Sequence, residues 1–142
     1  MYHLAVLFCS VPPEKKAPST SAVRRAVAAY SEGTVVTNNG SCLARLAFPP
    51  DFVGFQGHFP GNPVLPGVCL IEAVLGVLEA AHGRAWRLRT VANAKFREPV
   101  RPGQTLEIDC SSSSEGGGLR VRAQISCAAT RVAEIVLHVT PS

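Results

Sequence analysis

The sequence predicts an α+β domain in which a curved antiparallel β-sheet wraps one central, buried α-helix. Residues 67–82 form a long stretch without proline that is apolar on nearly every side, a hairpin signal precedes it, and four strand-like segments follow it. A helix with no polar face has to be enclosed by protein. Strands that follow one another after such a helix meander into an antiparallel sheet on which the helix can lie.

Taken in order, residues 1–33 read as a poorly constrained N-terminal segment and residues 34–142 as the domain. Pro12, Pro13, Pro18 and Ser19-Thr20-Ser21 interrupt regular structure, although Ala22 to Tyr30 fit a short helix capped by Ser21. Function is not expected there. Thr34 to Thr37 and Ser41 to Phe48 read as two strands about Asn38-Asn39-Gly40, a hairpin turn signal. A loop at Pro49 to Leu65 leads into the helix, for which Gly83 supplies the stop. Trp86 to Phe96, Thr105 to Ser111, Leu119 to Cys127 and Val132 to Thr140 then read as strands. In the third, Leu119, Val121, Ala123, Ile125 and Cys127 alternate with Arg120, Arg122, Gln124 and Ser126, the period of a half-buried strand. The tract Ser111 to Gly118 reads as a long hairpin loop.

At 142 residues, with 46% apolar and 17% charged residues, the chain has the size and composition of one globular domain. No apolar run reaches the roughly 20 residues of a membrane helix, and the apolar start at Tyr2 to Cys9 has its charges on the wrong side for a secretory signal. The expectation is a cytoplasmic protein that engages no membrane. Five scattered cysteines (Cys9, Cys42, Cys69, Cys110, Cys127), with no Cys-x-x-Cys spacing, argue against a zinc site or a disulfide framework and fit small core side chains. The net charge of +4 is mild, but Arg84, Arg87, Arg89, Lys95, Arg97 and Arg101 concentrate it in one region. That region is either a solvated strand face or a docking surface for an acidic partner.

The residues most suggestive of chemistry run from Gly57 through His58, Phe59 and Pro60 to Pro66, Gly67, Val68 and Glu72. They set a histidine and a carboxylate on either side of a Pro/Gly turn that opens the helix. The segment closely resembles the signature of the β-hydroxyacyl-acyl-carrier-protein dehydratases of FabZ/FabA type: a glycine-flanked His-Phe-Pro, then Pro-Gly-Val, with an acidic residue fourteen positions after the histidine. A second stretch, Val91 to Gly103, is similar to that family's Asn-Ala-Lys-Phe strand and Pro-Gly turn. The resemblance covers roughly residues 34 to 140 and implies the hot-dog fold. It also implies elimination of water from a 3-hydroxyacyl thioester carried on the phosphopantetheine of an acyl carrier protein, with no bound cofactor, no metal and no nucleic-acid partner. A homodimer or an assembly of dimers follows by the same resemblance, the two catalytic groups of each site usually coming from different subunits.

That chemistry needs a base for the C2 proton, an acid for the departing hydroxyl, and a donor for the charge that grows on the thioester oxygen. His58 has an unperturbed pKa near neutrality, which suits the base. Glu72 has apolar helix neighbours, and burial can keep a carboxyl protonated as an acid. A carboxyl so placed has a second reading, a buried ion pair with a distant arginine. The Gly67 N–H, at the positive end of the helix, is the candidate oxyanion donor. Phe55 and Phe59 either line an acyl tunnel or are plain packing.

Two features depart from the family. Its enzymes commonly carry a glutamine one turn after the acid, where this chain has Gly76, and the usual N-terminal Pro-Phe-Leu-Leu-Val-Asp-Arg strand is missing. Glycine is expected to leave space beside Glu72, so that water, backbone or another subunit must orient the acid. A hot-dog thioesterase, or an acyl-binding subunit with weak or no catalysis, is the alternative function.

Overall fold

The computed structural model describes residues 2–3, 20–30, 34–36, 41–55, 61 and 63–142. Helices α1 (Thr20–Tyr30) and α2 (Gly67–His82) are accompanied by strands β1 (Tyr2–His3), β2 (Thr34–Val36), β3 (Ser41–Leu46), β4 (Trp86–Phe96), β5 (Leu106–Glu115), β6 (Gly118–Cys127) and β7 (Thr130–Pro141). The strands form one sheet in the order β1-β4-β7-β6-β5-β3-β2, with every neighbouring pair antiparallel. Register shifts on β4 at Leu88/Thr90 and Val91/Asn93, and on β6 at Ile125/Ser126, bend these long strands, since a bulge adds local twist. This is the wrapped helix expected from the sequence.

Period-two patterning decides which side of the sheet meets α2. Val121, Ala123 and Ile125 of β6 are buried, as are Ile108 and Cys110 of β5 and Cys42, Ala44 and Leu46 of β3. The intervening Arg120, Arg122 and Gln124 are exposed. Helix α2 is buried from Cys69 to Leu78 and ends where Gly83 turns left-handed, its N–H donating to the Glu79 carbonyl at 2.8 Å. No helix among the described residues is long and apolar enough to cross a membrane.

Two expectations need correction. The tract at Ser111 to Gly118 is not a long loop: β5 continues to Glu115, β6 starts at Gly118, and only Gly116 and Gly117 turn, at φ 53° and 80°. Two successive left-handed residues make the tight hairpin that a pair of glycines adopts without steric cost. Serines are poor strand formers by composition, but Ser111 to Ser114 are held in register by Arg122 to Leu119 across the ladder. The second correction concerns α1. Its Val23, Ala26 and Val27 are buried in the main core against α2, so this helix belongs to the packed body rather than to a loose lead-in.

Candidate active site

The approach to α2 is held by backbone. Phe52 N–H donates to the Pro49 carbonyl and Phe55 N–H to that of Phe52, each at 3.0 Å, closing a short 3-10 turn over Val53–Phe55. At the far end of the loop, Leu65 N–H donates to the Val100 carbonyl at 2.8 Å, which straps the entry of the helix to the β4–β5 connection. Residues 56–60 and 62 lie outside the described residues, so His58 and Phe59 do too.

Pro66 is the N-cap of α2, extended at φ −61° and ψ 147°, and has no side-chain cap. Cys69 N–H turns back to the Pro66 carbonyl at 2.9 Å. The Gly67 N–H has no acceptor among the described residues, as expected for the first turn of a helix. Phe55 is 5% exposed and meets Phe52 edge-on with centroids 6.3 Å apart; Phe52 in turn lies 4.7 Å from Phe48. Among the described residues, then, Phe55 is part of an aromatic cluster in the core.

Glu72 is the one buried charged residue among those described. Arg24 Nε donates to its Oε1 at 3.0 Å, and Arg24 Nη1 donates to Glu79 Oε2 at 2.7 Å. Glu79 Oε2 also accepts the Trp86 N–H at 3.1 Å. Burial raises the Glu72 pKa above the usual carboxylate value, Arg24 pulls it back in part, and the neighbouring charge of Glu79 adds to the rise. One helical turn earlier, the Cys69 thiol is pushed up to about 12 by burial and by Glu72, so it is an inert neighbour and no nucleophile.

Sequence reasoning raised a buried ion pair for Glu72 but did not find its partner. Arg24 lies in the segment where no function was expected, 48 residues upstream. The available signal was the spacing of Val23, Ala26 and Val27, which marks one apolar face of a helix with Arg24 beside it. Gly76 also differs from expectation. A Cβ there would meet Val27 Cβ and Cγ2 at 3.1 Å and Arg24 Cα at 3.4 Å, so the missing side chain makes room for α1 and leaves no gap. The Glu72 carboxyl is held by an arginine of the same chain. A recess of about 460 Å³, lined by Arg45, Thr105, Glu107, Ser126, Cys127 and the Ala128-Ala129 turn, has none of Phe55, Gly67 and Glu72 among its described lining residues.

A family model described as ApeI-like, ApeI dehydratase, matches residues 34–134, a span that contains both His58 and Glu72. The chain is 54% identical over 61 residues to the 3-hydroxyacyl-[acyl-carrier-protein] dehydratase FabZ of Latilactobacillus sakei, covering 38% of this chain and 44% of that protein. It is 34% identical over 102 residues to the FabZ of Lactobacillus helveticus, covering 62% and 68%. It thus spans about half to two thirds of the length of these curated relatives. The solved dehydratase heterocomplex ApeI:P from Xenorhabdus doucetiae superposes with a TM-score of 0.67 at 22% identity, over 78% of this chain and 96% of that one. At that identity the likeness speaks for the shared hot-dog fold.

Proposed function

Because the chain belongs to the ApeI-like dehydratase family, we propose that it eliminates water from a 3-hydroxyacyl thioester on an acyl carrier protein, giving a trans-2-enoyl thioester. The observation that carries this reading is Glu72, buried on α2 with its proton affinity raised, fourteen positions after His58. His58 takes the proton from C2, and the C–H electron pair becomes the C2–C3 double bond. The C3–O bond breaks as protonated Glu72 delivers its proton to the leaving hydroxyl, which departs as water. The Gly67 N–H donates to the thioester oxygen while negative charge builds there. Imidazolium and carboxylate then return to their starting states by proton exchange with water. No cofactor enters the reaction.

The site is proposed to be completed within a homodimer in the cytoplasm, with Phe59 against the acyl chain. The acyl carrier is proposed to dock on Arg87 and Arg89 of β4, which are exposed and have no carboxylate in reach among the described residues. Arg97 is a weaker candidate because Glu134 already holds it at 3.1 Å.

Enoyl absorbance followed in both directions, alongside free-thiol release, tests the reaction. His58→Ala and Glu72→Gln are each expected to lower turnover by about 10²- to 10⁴-fold, the range for loss of one proton-transfer group. Near-normal rates in either folded variant would reject these roles, and thiol release without enoyl chemistry would identify a thioesterase. The Arg87→Glu/Arg89→Glu variant is expected to lose activity on carrier-bound substrate only. Equal losses on a small thioester would reject the docking surface.

A further inference from the structure

We propose that Arg24 is a positioning residue for Glu72, through which helix α1 fixes the orientation and the charge of the acid. The assignment rests on reading Glu72 as the acid of the proposed elimination. The two arms of the guanidinium reach carboxylates about two turns of α2 apart, roughly 10 Å along the axis at 1.5 Å per residue: Glu72 at 3.0 Å and Glu79 at 2.7 Å. A planar fork held at both ends fixes the direction of each hydrogen bond as well as its charge. Arg24 engages only Oε1 of Glu72, and no hydrogen bond reaches Oε2 among the described residues. A cation on one oxygen directs the proton to the other, which is then the one free to meet a substrate hydroxyl.

The arginine cannot drift away from the acid, because its backbone is clamped. Val23, Ala26 and Val27 flank it in the core, and Val27 fills the surface opened by Gly76, one turn beyond Glu72. Among the described residues, the charged or titratable groups facing Glu72 are Arg24 from α1 and Cys69 and Glu79 from α2 itself. The strands behind α2 present Cys42, Ala44, Leu46, Ile108 and Cys110, none of them charged. Among the described residues, one cation therefore faces two carboxylates and neutralises only one. The more buried of the two, Glu72, is the one for which holding a proton relieves the excess negative charge.

The test compares Arg24→Met, which keeps the stem and loses the fork, Arg24→Lys, which keeps the charge, and Val27→Ala, which loosens α1 without touching charge. Carboxyl-¹³C glutamate labelling of the full chain, with Glu72 assigned through Glu72→Gln, reads the titration of the acid without any substrate. Hydration of a short trans-2-enoyl N-acetylcysteamine thioester reads kcat, KM and the pH profile. In Arg24→Met, Glu72 should titrate at higher pH, and the acid limb of kcat for hydration, the direction that needs the Glu72 carboxylate, should move up with it. Its plateau kcat should fall about 10- to 100-fold, the range for loss of an orienting partner, with KM little changed. Arg24→Lys should restore the titration and part of the rate.

An unmoved Glu72 titration in folded Arg24→Met overturns the assignment, and so does a loss confined to KM. The same changes in Val27→Ala would also overturn it, since helix docking alone would then account for them. A wild-type chain without enoyl hydration would sink the dehydratase reading, while the carboxyl titration would still decide whether Arg24 sets the charge on Glu72.

Discussion

At Glu72 the net effect of its surroundings favours the proton, burial outweighing the help that Arg24 gives to the carboxylate. The native chain therefore binds this proton more tightly than the unfolded chain, where a glutamate titrates near 4.3. Its contribution to stability is fully present below that value and is lost as pH rises through the higher native pKa. Glu72→Gln keeps an oxygen for Arg24 Nε and does not titrate. Its stability relative to wild type should consequently improve as pH climbs from about 4, measured by urea unfolding across a pH series. A relative loss with rising pH would show that the ion pair outweighs burial. A different local strain sits at the β6–β7 turn, where Ala128 and Ala129 have φ of 50° and 68°. The left-handed conformation costs an L-residue about 1–2 kcal/mol, and nothing in the structure explains why alanines occupy it. Ala128→Asn with Ala129→Gly should stabilise the fold by about 1 to 2 kcal/mol. An unchanged melting temperature would refute the strain.

Between elements, the contact of α1 with α2 is decided by Gly76. A methyl group there falls 3.1 Å from two carbons of Val27, tighter than most packed contacts, so that Val27, clamped in the core, has to give by a few tenths of an ångström. Gly76→Ala should destabilise the protein by about 1 to 3 kcal/mol through overpacking, and Val27→Ala in the same chain should recover part of that loss. Additive effects in a double-mutant cycle would mean that the two positions do not touch. The elements themselves were largely legible. The proline-free apolar run between Pro66 and Gly83 gave α2 its two ends, because capping is local. Alternation located β6 in the same way. The Ser-rich end of β5 was not legible, since its strand conformation comes from pairing with β6 and not from its own composition. Within the candidate site, the placement of Glu72 on α2 and of Gly67 in its first turn could be read from local pattern. Arg24 could not, because its role depends on which distant surface α1 meets.

For the whole molecule, the proposed homodimer predicts complementation between two inactive chains. Co-refolded His58→Ala and Glu72→Gln should recover activity that neither has alone, because a mixed dimer holds one site with both groups and one with neither. No recovery, with heterodimers demonstrated by differential tagging, would show that each site is built within one chain.

The long reach of Arg24 also orders events while the chain is being made. Its acceptors on Glu72 and Glu79 lie 48 and 55 residues downstream, and the Trp86 carbonyl 62. At about 5–20 residues per second, a ribosome needs roughly three to eleven seconds to add Glu79 after Arg24. An eleven-residue helix is marginal on its own. During synthesis α1 therefore has to wait, its apolar face uncovered, until α2 and the start of β4 have been added.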